Sequence, residues 1–435
     1  MKKQILLVVL VCVQLLNAQD YIESLSKKTS ILLLNGTAHI GNGQVIQNSA
    51  VAFKDGLITL VADATLIKIN PSEFDTIISI QGKQVYPGFI AANSTLGLTE
   101  IEAVRATNDF NEVGDIIPNV RTLIAYNTDS KIIPTVRTNG VLFAQVTPRA
   151  GMLAGTSSIF SLEGWNWEDA VVKADEGLHL YFPHYPIERK KNDKEKENEE
   201  RKEAYTKKLN ELNKFFNDAK AYNSSEKKEE KNIRFESLKN IFNGSERLYI
   251  HANFAKDILA VIAFVKEMDI KNAVLVGAKD IFPVLQQFKE SGMPVMLGRV
   301  HDLPMRQDDD VDLPFKLPYL LQKEGILFCL QNEGDMEAMN TRNLPFLAGT
   351  AAAYGLTKEE ALQSITLNAA KILGLDKILG SLENNKQATL FVSNGDALDM
   401  KTNDIVLAFI KGKAISLNNE QKELYEKYTK KYGLK

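Results

Sequence analysis

Cysteine is nearly missing from this chain: Cys12 and Cys329 are the only two in 435 residues. That excludes a disulfide framework and any Cys-x-x-Cys metal or redox site. A charge excess is missing as well. With 52 Lys and Arg against 55 Asp and Glu, the formal net charge is -3. Nothing in that balance favours a nucleic acid or an anionic membrane surface as partner. No Gly-rich phosphate loop and no nucleophile elbow with a triad occurs, so kinase and dehydrogenase readings have no support.

Long apolar runs are scarce too. The clearest, residues 5–16, is too short for a comfortable membrane span and follows Lys2 and Lys3. With Asn17-Ala18-Gln19 behind it, the pattern reads as a signal peptide, residues 1–18, cut after Ala18. The expectation is an exported protein, periplasmic or secreted, with no membrane span after cleavage. A lipoprotein reading lacks its small residue, because Val11 precedes Cys12. Cleavage leaves Cys329 alone in the apolar run 326–330, where a buried structural thiol is the expectation rather than a nucleophile.

What is present is an ordinary globular composition, 44% hydrophobic and 25% charged, with enough length for a barrel-sized core plus a smaller module. Short β-like runs at 31–34, 50–53 and 57–61 are punctuated by Asn35-Gly36, Gly41-Asn42-Gly43 and Asp55-Gly56. Runs at 388–392 and 405–410, with a last strand through Ile415, give the C-terminal end the same texture. Both ends are expected to build one small β-sandwich. Between them, apolar strands such as 273–276, 295–297 and 326–330 alternate with helices such as 257–268 and 281–291, the pattern of a βα-repeating parallel architecture. Thr357 and Glu360 form the sequence signature of a capping box. From Glu188 to Lys231 more than half the residues are charged, and Leu209, Leu212, Phe215, Phe216 and Tyr222 suggest an exposed helix with one modest apolar stripe. A solvated excursion from a barrel loop is preferred there to a docking arm for another subunit.

The segment Val85-Tyr86-Pro87-Gly88-Phe89-Ile90 resembles the lead-in to the first barrel strand of the amidohydrolase superfamily. The likeness continues in order along the chain. Gly355-Leu356-Thr357-Lys358-Glu359-Glu360-Ala361-Leu362 with Thr366-Leu367-Asn368-Ala369-Ala370-Lys371 resembles the helix after the last barrel strand. Ile378-Leu379-Gly380-Ser381 and Gln387-Ala388-Thr389-Leu390 resemble the return to the sandwich. The chain looks most like exported, imidazolonepropionase-like amidohydrolases. The resemblance implies an α/β fold: a distorted TIM-like (β/α)8 barrel plus a small β-sandwich assembled from N- and C-terminal segments. The implied boundaries are 19–86 and 376–417 for the two parts of the sandwich, 87–375 for the barrel with a charged helical insertion at 188–232, and a helical tail at 418–435.

The resemblance implies hydrolysis of carbon–nitrogen bonds other than peptide bonds, by a metal-bound hydroxide. Yet where the family carries two histidines after strand one, this chain has Asn93 and Thr95. His251 matches the strand-five histidine. No histidine stands at the strand-six place near Val276-Gly277-Ala278, and Asn332 and Gln331 stand where strand eight carries an aspartate. Near strand four, Lys173 is the one candidate for a bridging lysine. Zinc wants about three protein ligands plus water, so Asn93, Thr95, His251 and Asn332 read as vestigial metal positions. The expected cofactor is none, or a single divalent metal, zinc if any.

Of the remaining histidines, His39 and His301 are expected to be structural, and His179 and His184 lie in a stretch read as coil with aromatics. The loop after strand one carries Glu100, Glu102, Arg105 and Asp109, which a barrel would hang over its catalytic face as candidate substrate-binding residues. Arg149 and Arg137, near strand ends, are candidates for meeting an anionic ligand there. His251 is the candidate catalytic residue. Two readings follow: an amidohydrolase whose activity is lost or atypical, or a non-catalytic partner or binding module pairing with an intact amidohydrolase paralogue. A third keeps activity in a rebuilt site around His251, His179, His184 and the acidic loop.

Overall fold

The computed structural model describes residues 30–186, 195–225 and 230–434; the expected signal peptide lies outside them. Two sheets carry the architecture. The first joins the chain's two ends: β1 (Ser30–His39), β2 (Val45–Lys54), β3 (Leu57–Asp63), β4 (Thr76–Ser79) and β5 (Gln84–Pro87) combine with β14 (Leu390–Ser393), β15 (Ile405–Ile410) and β16 (Lys413–Ala414). The join is the antiparallel pair β5–β14, with Tyr86 opposite Phe391. Both chain ends build this module, as expected, on one continuous eight-stranded sheet, with Leu33, Val51 and Phe53 in one apolar cluster and Leu32, Ala50 and Ala52 in another. Alternation of side chains along β1 and β2 puts these sets on opposite faces.

The second sheet is the barrel: β6 (Phe89–Ser94), β7 (Val141–Val146), β8 (Leu153–Ser161), β9 (Val171–Tyr181), β10 (Arg247–Ala252), β11 (Ala273–Gly277), β12 (Val295–Leu297) and β13 (Phe328–Leu330), in that order. A parallel bridge from Ala92 to Gln331 brings the last strand round to the first. The strands are buried on both faces, as a barrel wrapped in helices requires. One strand departs from uniform βα alternation: β8 is antiparallel to both β7 and β9. The reason is connection length. Residues 147–152 and 162–170 are too few for parallel crossovers, which need about a dozen residues or more, so the chain makes hairpins instead. The first of these hairpins lifts residues 147–152 to the C-terminal mouth of the barrel.

Gly88 shows why the lead-in motif has its form. A Cβ there would lie 3.0 Å from the Leu142 Cβ and 3.2 Å from the Thr389 Cγ2, where the chain passes from the small sheet into the barrel. The Thr357–Glu360 capping box forms as expected. In the charged insertion, the helix Glu195–Ser224 buries Leu212, Phe216 and Ala219, spaced along one face, with the Phe216 ring edge-on to Phe242 and Phe264. That stripe is spent on the barrel itself. Cys329 is buried in β13, and burial pushes its thiol up.

Candidate functional site at the barrel mouth

Near its end strand β6 carries a bulge in its pairing with β7, between Ala91 and Ser94, that only a few residue types accept. Asn93 has φ 51, in the left-handed region that asparagine tolerates better than most side chains. Its amide N–H donates to Gln145 Oε1 at 2.9 Å. Its side chain is fully buried: Oδ1 accepts from Arg149 Nη1 (2.9 Å) and Thr147 (3.2 Å), while Nδ2 donates to Glu333 Oε2 (2.9 Å) and Gln331 Oε1 (3.4 Å).

Arg149 comes from the β7–β8 hairpin and lies over the end of β6. Its Nη2 donates to the Asn93 carbonyl at 2.8 Å and to Glu337 Oε1 at 2.6 Å; Nη1 also donates to Thr147 and, at 3.3 Å, to the Tyr181 hydroxyl. Glu337 accepts the Thr95 amide as well, at 2.7 Å. Burial works against the guanidinium's charge, but Glu337, Tyr181 and Glu333 outweigh it and hold Arg149 more firmly charged than usual. Burial pushes the Glu337 carboxyl up, against the pull of Arg149. With two donors within 2.7 Å of one oxygen, we read the pair as ionised.

A second polar chain runs down the β8–β10 side. His251 Nε2 lies 2.9 Å from His179 Nδ1, and His179 Nε2 lies 2.9 Å from Ser157 Oγ. Ser157 donates to Glu176 Oε1 (2.7 Å), which also accepts from Gln145 Nε2 (2.6 Å), while Tyr249 donates to Glu176 Oε2 (2.8 Å). Burial pushes the Glu176 carboxyl up, against these donors and Lys173. Burial holds both imidazoles well below the usual histidine range, with Arg149 adding to it and, for His251, His179 too. Both rings are therefore neutral at neutral pH. The Tyr181 ring stacks on His251, centroids 4.1 Å apart.

Above these chains opens a cavity of about 1020 Å³ with mostly apolar walls, including Ile101, Phe110, Phe182, Phe254 and Met339. Of the residues expected at the site, Thr95, Glu100, Glu102, Arg149 and His251 line it, as do His184 and Asp257. Arg105 and Asp109 are exposed and do not line it. Asn93 and Asn332 are buried beneath the mouth.

Other placements differ from expectation. His179 lies on strand β9, not in coil: Leu178 and Leu180 alternate with His179 and Tyr181, and both faces are occupied. Lys173, the candidate bridging lysine, lies earlier in β9 and donates to the Leu373 carbonyl, away from the mouth. Arg137 ends the short helix Ile132–Arg137 ahead of β7, at the opposite end of the barrel, and pairs with Glu163. His39 bonds Glu359 and Gln84, and His301 bonds Thr350. Sequence reasoning missed Glu333, Glu337, Ser157 and Glu176. Met336, left-handed at φ 54, and Ala278, at φ 57, add strained backbone around the same mouth.

The residues present do not fit a hydrolytic metal. Among the described residues, no group of three or more His, Cys, Asp or Glu could hold an ion. The strand-five imidazole spends Nε2 on His179, and strand one supplies an amide and a hydroxyl. At the strand-eight place, Gln331 Nε2 and Asn332 Nδ2 are buried donors without a partner among the described residues, and donors repel a cation. The Arg149 guanidinium adds a permanent positive charge beside Asn93.

Comparison with known proteins agrees with the architecture. Residues 245–415 match the amidohydrolase family model. No curated protein matches the chain. Among solved structures, the chain is similar to an amidohydrolase from Thermotoga maritima MSB8, with TM-score 0.76 and 24% identity over 89% of this chain and 99% of that one. It is also similar to molinate hydrolase (TM-score 0.52, 14% identity, 90% of this chain and 95% of that one) and to A. niger ochratoxinase (TM-score 0.51, 13% identity, 91% and 98%). At such identities the likeness is one of fold.

Proposed function

We propose that this chain, which belongs to the amidohydrolase superfamily, is an exported ligand-binding barrel in which an internal ion pair stands where the family's hydrolytic metal would stand. The observation that carries this reading is Arg149. Its guanidinium is held by Asn93, Thr147, Tyr181 and Glu337 at the end of strand one, and it supplies a fixed positive charge that needs no ion. The cavity above it has the volume and apolar lining of a small-molecule site.

The neutral fluorophore prodan, which has no N–H group, tests this reading. Prodan should bind with a blue-shifted emission, and Ala252→Phe or the rim variant Ala103→Trp should weaken it while the circular dichroism stays unchanged. Absence of prodan binding, or binding indifferent to both variants, would contradict the proposal. So would turnover of amides or lactams by the metal-supplemented protein.

A second reading, pairing with an intact amidohydrolase paralogue, draws on the C-terminal helix Glu420–Tyr432. That helix leaves Tyr425, Tyr428 and Tyr432 exposed. Co-purification from the native source should then retrieve a metal-bearing relative, and repeated recovery of the protein alone counts against it.

A further inference from the structure

The polar chain beneath the cavity fixes which way its hydrogen bonds point. Gln145 Oε1 accepts the Asn93 amide, so the Gln145 NH2 must face Glu176. Tyr249 donates to the other carboxylate oxygen. At 2.7 Å from Glu176 Oε1, the Ser157 hydroxyl has its proton committed to that carboxylate and offers only a lone pair to His179. His179 Nε2 therefore carries the proton, and its Nδ1 accepts from His251 Nε2–H. The remaining atom is His251 Nδ1. It is a lone pair with no partner among the described residues, on a ring that lines the cavity.

The second acceptor is Glu333, which lines the same cavity and gives one carboxylate oxygen to Asn93. The permanent cations of the wall are committed elsewhere: Arg149 to Glu337, and Lys279 to Asp302 at 2.5 Å. A ligand thus meets apolar walls, the neutral Thr95, Thr99 and Asn253 side chains, the carboxylates of Glu100, Glu102 and Glu333, and cations that are already paired.

Resting on the reading of the mouth as a ligand site, we infer that the site takes a small, largely apolar molecule carrying an amine or other N–H donor. His251 Nδ1 and the Glu333 carboxylate are its acceptors. An anionic ligand of the same shape finds like charge and no unpaired cation.

The test displaces prodan with 2-phenylethylamine, 3-phenylpropionate and ethylbenzene, which share a ring and differ in the end group. The amine should bind at least about tenfold more tightly than either of the others, the effect expected of one hydrogen bond involving a charged group. That preference should fall in both His251→Phe and Glu333→Gln, read as the ratio of amine to ethylbenzene affinity within each variant. The inference is overturned if 3-phenylpropionate competes equally well, or if Glu333→Gln and His251→Phe both leave the amine's affinity unchanged. Prodan binding without amine preference sinks this inference alone; no prodan binding sinks the reading of the mouth as well.

Discussion

The two sides of the barrel mouth are built in opposite ways. On the β6–β7 side the charged and amide groups are tied to one another: Asn93, Thr147, Arg149 and Glu337 are joined by hydrogen bonds, and the Thr95 amide donates to Glu337. On the β9–β10 side a similar run of buried hydrogen bonds, from Glu176 through Ser157 and His179, ends on His251, whose ring lines the cavity. A guanidinium supplies fixed charge and geometry without coordination chemistry. A backed imidazole supplies an oriented acceptor. One half of the mouth is an internal network of charge and amide, and the other presents an imidazole to the cavity.

Removing one partner of the closed side should have the largest effect. Arg149→Ala leaves the Glu337 carboxylate buried and unpaired, with an expected loss of about 3–5 kcal/mol in urea unfolding. The double variant Arg149→Met with Glu337→Leu should recover most of that loss. If the single variant is neutral, the closed side is not held by charge. Next comes restoration of the family's histidines. Asn93→His with Thr95→His breaks the bonds to Glu333 and Arg149 and forces an unfavourable residue into the left-handed region, costing about 1–3 kcal/mol. It should gain no zinc while Arg149 remains, as metal analysis of the variant can show.

On the open side, Ser157→Ala leaves Glu176 and His179 each short of a partner and should cost about 1–3 kcal/mol. It should also loosen the hold on His251 and so weaken amine binding more than prodan binding. The smallest effect is one of pH. Burial depresses both imidazoles below 6.5, so the unfolded chain takes protons first as the pH falls. Stability contributed by the neutral rings is present above about 6.5 and is lost below it, by at most about 1.4 kcal/mol per pH unit for each ring. Urea midpoints compared at about pH 7.5 and about pH 5.5 should show this loss, with a shallower dependence in His179→Gln. An equal dependence in that variant would mean His179 is not buried as a neutral ring.

The scaffold was largely legible in the sequence because it is written in local signals. The Pro87-Gly88-Phe89 lead-in, the Thr357 capping box and the turn glycines between short strands each act over a few residues. The strand-five, strand-six and strand-eight places at His251, Gly277 and Gln331 followed from them. The hairpins around β8 were less visible, because a short connection with no helix reads like any loop. The site was hardest. Glu337 and Arg149 meet across 188 positions of sequence, and Ser157 looks like any small polar residue in a strand. The one available signal was the alternation Leu178-His179-Leu180-Tyr181, which marks a buried strand and places His179 two residues from Tyr181 on one face.

The most direct measurement is the metal content of the purified protein, expressed with zinc, manganese and iron supplied. The account predicts well below one equivalent, unchanged in His251→Ala. Metal near one equivalent that disappears in His251→Ala would contradict it and return the barrel mouth to metal chemistry.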